Sequence, residues 1–164
     1  MRKSFPMFLV SFYYLFLFVS PSILSQNKSL IFADTKFSLF NDYKEIIASI
    51  DTNRYYCVIN ENDNIISISD RREKNPLGML SYNKGHRITS ITKIWGYFEN
   101  ITEAFNILFF LIKELPKESI NYLSTNEVVE PDFSFRNINI STDNKAIEIF
   151  IDAKGVSINE NIFE

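Results

Sequence analysis

The side chains best suited to acid–base chemistry lie in one polar loop and one turn. Asp70 and Glu73 belong to the stretch 70–76, and His86 follows the turn at 83–85. A histidine beside a carboxylate can move a proton near neutral pH. If the loop and the turn meet at one end of a sheet, Asp70, Glu73 and His86 would form a small hydrolase or transferase site. The alternative is a solvated loop and an exposed turn histidine.

The remaining catalytic inventory is thin. His86 is the only histidine and Cys57 the only cysteine. This composition excludes histidine-rich zinc and di-iron sites and CxxC motifs. The sequence also lacks GxSxG, P-loop, GxGxxG, HExxH and EF-hand patterns. We therefore expect no metal and no cofactor, and favour a non-enzymatic role.

Aromatic residues give a stronger signal for binding. Trp95 and Tyr97, two residues apart in a strand-like run, are predicted to share one sheet face. Phe109 and Phe110 lie outside the main apolar stripe of the following helix. Exposed aromatic side chains favour protein or glycan contacts. The alternatives are that Trp95 packs beneath the helix and that a first helix covers Phe109 and Phe110.

The element that must position these aromatics is a helix predicted over Ile101–Leu115. Asn100 is a suitable N-cap, and Pro116 ends the segment. At 100° per residue, one apolar stripe forms the predicted buried face. It comprises Ile101, Phe105, Leu108, Ile112 and Leu115. A carrier of an apolar ligand would hold its cargo beside Phe105 and Leu108, between helix and sheet.

The rest of the chain predicts an α+β fold. Residues 35–50 have amphipathic helical spacing, and 54–60 with 65–69 and 79–82 with 86–98 form two hairpins. After the long helix, three runs predict a C-terminal meander, namely 133–140, AIEIFID and VSIN. Hairpin-length turns indicate an antiparallel sheet of about six to seven strands, with the central helix and the N-terminal helix on one face.

Several local features refine this layout. Gly96 predicts a bulge or bend in the long strand, and the apolar face of 133–140 switches near Arg136, which suggests another. Residues 127–132 are predicted to form an acidic connector, and 160–164 a loose end.

The N-terminus is typical of a secretory signal. Arg2 and Lys3 precede the apolar segment 7–19, and small residues follow, so we predict a signal peptide over 1–25 and one mature domain over 26–164. Cleavage after Ser22 and retention of 5–24 as an anchor are the alternatives.

Removing residues 1–25 leaves 15 basic and 20 acidic residues, a net charge of about −5. This charge argues against nucleic acid and, after signal removal, against membrane surfaces. A single cysteine excludes an intramolecular disulfide. Three sequons, at Asn27, Asn100 and Asn139, would matter only in a eukaryotic secretory pathway.

The sequence therefore predicts a small exported protein, periplasmic or secreted, that acts by binding another protein. An inhibitor, an immunity protein and a secretion accessory are the kinds of protein that fit. The hydrolase or transferase using His86 with Asp70 or Glu73, and the apolar-ligand carrier, are the competing hypotheses.

Overall fold

The computed structural model describes residues 28–115, 120–130 and 133–164. The predicted signal peptide and Asn27 lie outside these residues. Eight strands form one antiparallel sheet in the order β3-β4-β5-β6-β10-β9-β8-β7. Their bounds are β3 Tyr55–Asn60, β4 Ile65–Asp70, β5 Pro76–Tyr82, β6 Ile88–Phe98, β7 Tyr122–Glu130, β8 Phe133–Ser141, β9 Lys145–Asp152 and β10 Val156–Phe163. The predicted α+β class with an antiparallel sheet is confirmed.

The segment before β3 departs from the predicted helix over 35–50. A separate hairpin, β1 Ser29–Phe32 and β2 Thr35–Ser38, comes first, and helix α1 is only Tyr43–Ser49. Asp42 caps α1 by accepting the Lys44 backbone N–H at 2.8 Å. The segment 35–50, predicted as one helix, therefore contains strand β2 and the two-turn helix α1.

The hairpin and α1 cover one half of one sheet face, here called the covered face. Phe32 and Phe37 stack with their centroids 4.2 Å apart, and Tyr43 of α1 lies 4.3 Å from Tyr82 of β5. Gly78 permits this docking, because a Cβ there would lie 2.5 Å from the Phe32 ring. This first apolar cluster combines residues of the hairpin, α1 and strands β3–β6 with Ile162 of β10.

Helix α2, Ile101–Lys113, covers the other half of the same face. Asn100 accepts the Thr102 backbone N–H at 2.9 Å and caps the helix. The predicted buried face was wrong by roughly one residue of rotation. The residues turned towards the sheet are Ala104, Ile107, Leu108, Leu111 and Leu115, whereas Ile101, Phe105 and Ile112 are exposed. The small Ala104 lets the helix approach the strands closely, which a phenylalanine at that position would prevent.

Three predictions about the second half of the chain need correction. Residues 127–130 of the predicted acidic connector are the end of β7, which pairs with β8 over nine residues, and residues 131 and 132 lie outside the described residues. The expected bulge near Arg136 is absent, since β8 keeps unbroken register with both neighbours. The expected loose end at 160–164 belongs mostly to β10, an inner strand between β6 and β9. In the described part of the chain, neither helix has the length and hydrophobicity that a membrane crossing requires.

Candidate binding surface

The acid–base residues predicted from sequence lie at opposite ends of β5. Asp70 and Glu73 are in the turn that enters β5, whereas His86 follows the turn that leaves it. Seven strand residues separate the two turns, a distance of roughly 20 Å. His86 instead packs edge-on against Tyr43, with centroids 5.5 Å apart. The structure therefore does not bring His86 together with Asp70 or Glu73.

Asp70 has a local task in its own turn. Its carboxylate accepts backbone N–H groups from Arg72 at 2.7 Å and Glu73 at 3.0 Å. The N–H groups of Glu73 and Arg72 hold the pKa of this carboxyl below its usual value. A carboxylate kept ionised in this way stabilises the turn and is a poor general acid.

Trp95 and Tyr97 do not share a face. The register of β6 with β10 shifts between Ile158 and Asn159, and this bulge leaves Trp95 on the covered face. Gly96 accommodates it with a φ of 137°. Trp95 contacts Phe110 of α2, with centroids 5.9 Å apart, whereas the Tyr97 hydroxyl donates to Asp152 at 2.8 Å near the opposite face. The predicted bulge residue thus separates the two aromatics that were expected to act together.

Phe109 and Phe110 are both exposed, at 69% and 53%. The first apolar cluster, which contains α1, does not include them. Phe110 lies on the α2 flank that faces Trp95 and β6. Phe109 lies on the other flank and contacts Phe105, with centroids 6.4 Å apart.

An exposed apolar stripe therefore follows the second flank of α2. We call it the α2 stripe, and it consists of Ile101, Phe105, Phe109 and Ile112. These residues are spaced four, four and three apart and so fall on one side of the helix. Because Phe110 marks the β6 side, the α2 stripe faces the β9, β8 and β7 side of the sheet.

Strands β8 and β7 extend the apolar surface beyond the helix. Ile138 and Ile140 of β8 pack against the second apolar cluster but remain partly accessible. Directly beside Ile140 lies Leu123 of β7, which is 65% exposed. The second apolar cluster, as described, contains no residue of the β1–β2 hairpin or of α1. The α2 stripe and these strand residues are thus accessible apolar side chains on the same face of the sheet.

A buried polar cluster, missed from the sequence, separates the two apolar clusters. Glu160 is 5% exposed and lies on β10 between Ile158 of the second cluster and Ile162 of the first. Its carboxylate pairs with the Lys145 ammonium at 2.7 Å and accepts the Trp95 indole N–H at 2.9 Å. Both carboxylate oxygens are thus satisfied, as a buried charge requires.

Lys93 completes this cluster. Its ammonium lies 3.6 Å from the centre of the Trp95 ring, a cation–π contact. Burial lowers the pKa of Lys93, and the charge of Glu160 opposes that shift. The one sequence signal was the inward alternation Val156, Ile158, Glu160, Ile162, in which a glutamate occupies an apolar position.

Within the described residues, no group of three or more histidine, cysteine, aspartate or glutamate side chains is arranged to hold a metal ion. Cys57 is a partly buried free thiol, and burial raises its pKa. Comparison of the chain with protein-family models, curated proteins and solved structures finds no match. The α2 stripe is therefore the candidate functional surface on geometric grounds alone.

Proposed function

We propose that this chain is a small exported, non-enzymatic protein that acts by binding another protein through the α2 stripe. The observation that carries the proposal is the exposure of Phe105 and Phe109, at 48% and 69%, side by side on a well-capped helix. Contiguous exposed aromatic surface of this kind is typical of protein interfaces, where aromatic side chains supply much of the binding energy.

The chemistry of the stripe defines the partner. Ile101, Phe105 and Phe109 are apolar, and the polar edge of α2 carries Thr102 and Lys113. A helix presenting residues four apart fits an apolar groove or a second amphipathic helix on the partner. Few charges border the stripe, so we expect complex formation to depend only weakly on ionic strength.

Export is part of the same proposal. The sequence pattern of residues 1–25 supports a cleaved signal peptide, and the absence of a second cysteine means that the fold does not depend on oxidation after export. The proposed roles remain those of an inhibitor, an immunity protein or a secretion accessory. The mildly acidic charge supports a protein partner over a nucleic acid.

The test is affinity capture from the exported fraction of the native cells. Wild type is compared with a Phe105→Ser/Phe109→Ser double variant and with an Ile31→Ser/Val58→Ser control, whose residues are also exposed but lie in the other half of the molecule. We expect wild type and the control to hold one protein stoichiometrically, and the α2 double variant to lose it.

Circular dichroism shows whether all three forms are folded, and the captured protein is then purified and mixed with each form. A complex that survives in the α2 double variant would overturn the assignment of the surface. Failure of folded wild type to bind any protein would overturn the proposed function.

A further inference from the structure

Strand β7 is the outer strand at one end of the sheet. All nine of its residues pair with β8 without a register shift, and no other element among the described residues pairs with its far side. The sequence of Tyr122–Glu130 contains no Lys, Arg or Pro, the residues that commonly block edge pairing. Its Glu127 is paired with Arg136 at 3.0 Å.

Two apolar side chains on this edge strand are exposed to an unusual degree. Leu123 is 65% and Val129 is 72% exposed, and both project to the covered face. They lie three residues on either side of Asn126, so these two exposed apolar side chains are placed symmetrically about that residue. Symmetry within one strand is what a two-fold interface requires, because the same patch must meet itself.

We propose that two copies of the chain pair β7 to β7, antiparallel, about a two-fold axis at Asn126. In this register, Leu123 of each copy lies opposite Val129 of the other, so both exposed apolar pairs are buried together. Thr125 lies opposite Glu127, and all nine residues join the ladder. The two eight-stranded sheets then form one continuous sheet, with both α2 helices on the same face.

Neighbouring registers are disfavoured by charge. A two-fold axis perpendicular to the sheet pairs residues of equal parity, so the axis must pass through a residue. An axis at Thr125 would place Leu123 opposite Glu127, and an axis at Glu127 would place the two Glu127 residues opposite each other. Like charges directly opposite are destabilising, and a leucine gains little from a carboxylate.

The α2 stripe is not consumed by this pairing. Helix α2 contacts β10 and β6, and strands β9 and β8 lie between it and the β7 edge. The second copy at β7 is therefore independent of the partner proposed for α2, and either assignment can fail alone. Oligomeric state tests the first, and capture tests the second.

A charge-exchange series tests the pairing and its register. The mass of the purified protein is measured by light scattering for wild type, Leu123→Lys/Val129→Lys and Leu123→Lys/Val129→Glu. We expect wild type to be a dimer, and the two-lysine variant to associate at least about tenfold more weakly because it places like charges opposite each other twice. The lysine–glutamate variant should recover the dimer, since each lysine then meets a glutamate of the second copy.

Wild type that is monomeric at about 100 μM would overturn the dimer. Equal association of all three forms would show that the second copy binds elsewhere. Loss of the dimer in both variants would overturn the register. Circular dichroism serves as the folding control, and both positions are exposed enough to accept polar side chains without disrupting the core.

Cysteine cross-linking provides a second readout of the axis. In Asn126→Cys, the two thiols lie on directly opposite residues, whose Cα atoms are roughly 4.5 to 5.5 Å apart, a separation that suits a disulfide. In the matched control Ser124→Cys, on the same face, the thiols are four residues apart along the strands, roughly 13 Å. We expect oxidation to link the first variant and not the second. The reverse result would overturn the axis at Asn126.

Discussion

The two halves of the covered face are closed to different extents. Over β3–β6, a hairpin and α1 bury a continuous cluster, and the exposed apolar side chains left there, such as Ile31 and Val58, are scattered. On β8, β9 and the Val156–Ile158 end of β10, the second apolar cluster is covered only by α2 among the described elements. Most of the large exposed hydrophobic residues of the described chain lie in this half, along α2 and β7.

This difference separates the apolar surface that folding buries from the apolar surface that is left for association. Burying a large apolar side chain contributes about 1.5 to 3 kcal/mol, so the first half gains its stability within the chain. The second half leaves apolar side chains of the α2 stripe and the β7 edge in contact with water. A surface of that kind favours covering by another molecule. The two proposals assign a partner protein to the α2 stripe and a second copy of the chain to the β7 edge.

The largest expected effect concerns the boundary between the halves. In Glu160→Gln, the buried Lys145 loses its counter-charge, so we expect the free energy of unfolding to fall by about 3 to 5 kcal/mol. The matched change Glu127→Gln breaks an exposed pair with Arg136 and should cost less than about 1 kcal/mol. Urea denaturation measures both. Equal costs would mean that the Glu160 cluster does not join the halves as described.

The next effect tests the rotation of α2. Leu111 is fully buried, so Leu111→Ala should cost about 2 to 5 kcal/mol. Phe109→Ala, in the same helix, should change stability by less than about 0.5 kcal/mol because Phe109 is already exposed. Thermal or urea unfolding of the two variants measures the difference in their stability. A larger loss for Phe109→Ala than for Leu111→Ala would place the helix in the orientation predicted from sequence.

The smallest expected effect concerns one turn carboxylate from each half, Asp70 in the first and Asp152 in the second. The pKa of Asp152 is lowered mainly by the Lys154 N–H, then by the Tyr97 hydroxyl and the Gly155 N–H, as that of Asp70 is lowered by backbone N–H groups. A carboxyl with a depressed folded-state pKa stabilises above its unfolded value, about 3.9, and loses that contribution as the pH falls through the folded value.

We therefore expect Asp70→Asn and Asp152→Asn to lower the urea midpoint slightly at pH 6 and by less at about pH 3, below the unfolded-state pKa of about 3.9, where the stabilising contribution of each carboxylate is already reduced. Unfolding curves at the two pH values measure the difference. A deficit that is equal at both values would show that lost packing, and not ionisation, causes it.

The sequence was most informative where local chemistry decides the structure. Asn100 marked the start of α2, the hairpins of β3–β4 and β5–β6 followed from their turns, and Gly96 marked a bulge. The buried side of α2 could not be predicted, because apolar residues surround much of the helix and the close fit of Ala104 to the sheet decides between them.

Pairing between distant segments accounts for the remaining errors. β7 has a polar sequence and is a strand only because β8 pairs with it, and Glu160 resembles a surface residue until Lys145 and Trp95 are placed beside it. The exposed side of α2 was missed for the same reason. It depends on which half of the sheet each helix covers, and neither periodicity nor composition records that.

The most direct test of the α2 stripe is hydroxyl-radical footprinting of the wild-type protein, alone and in the exported fraction of its native cells. Oxidation is compared at Phe105 and Phe109 and at the exposed reference residues Ile31 and Val58. If a partner covers α2, oxidation of the two phenylalanines falls several-fold while that of the references is unchanged. Equal oxidation of all four residues in both samples would contradict the claim that the α2 stripe is a protein-binding surface.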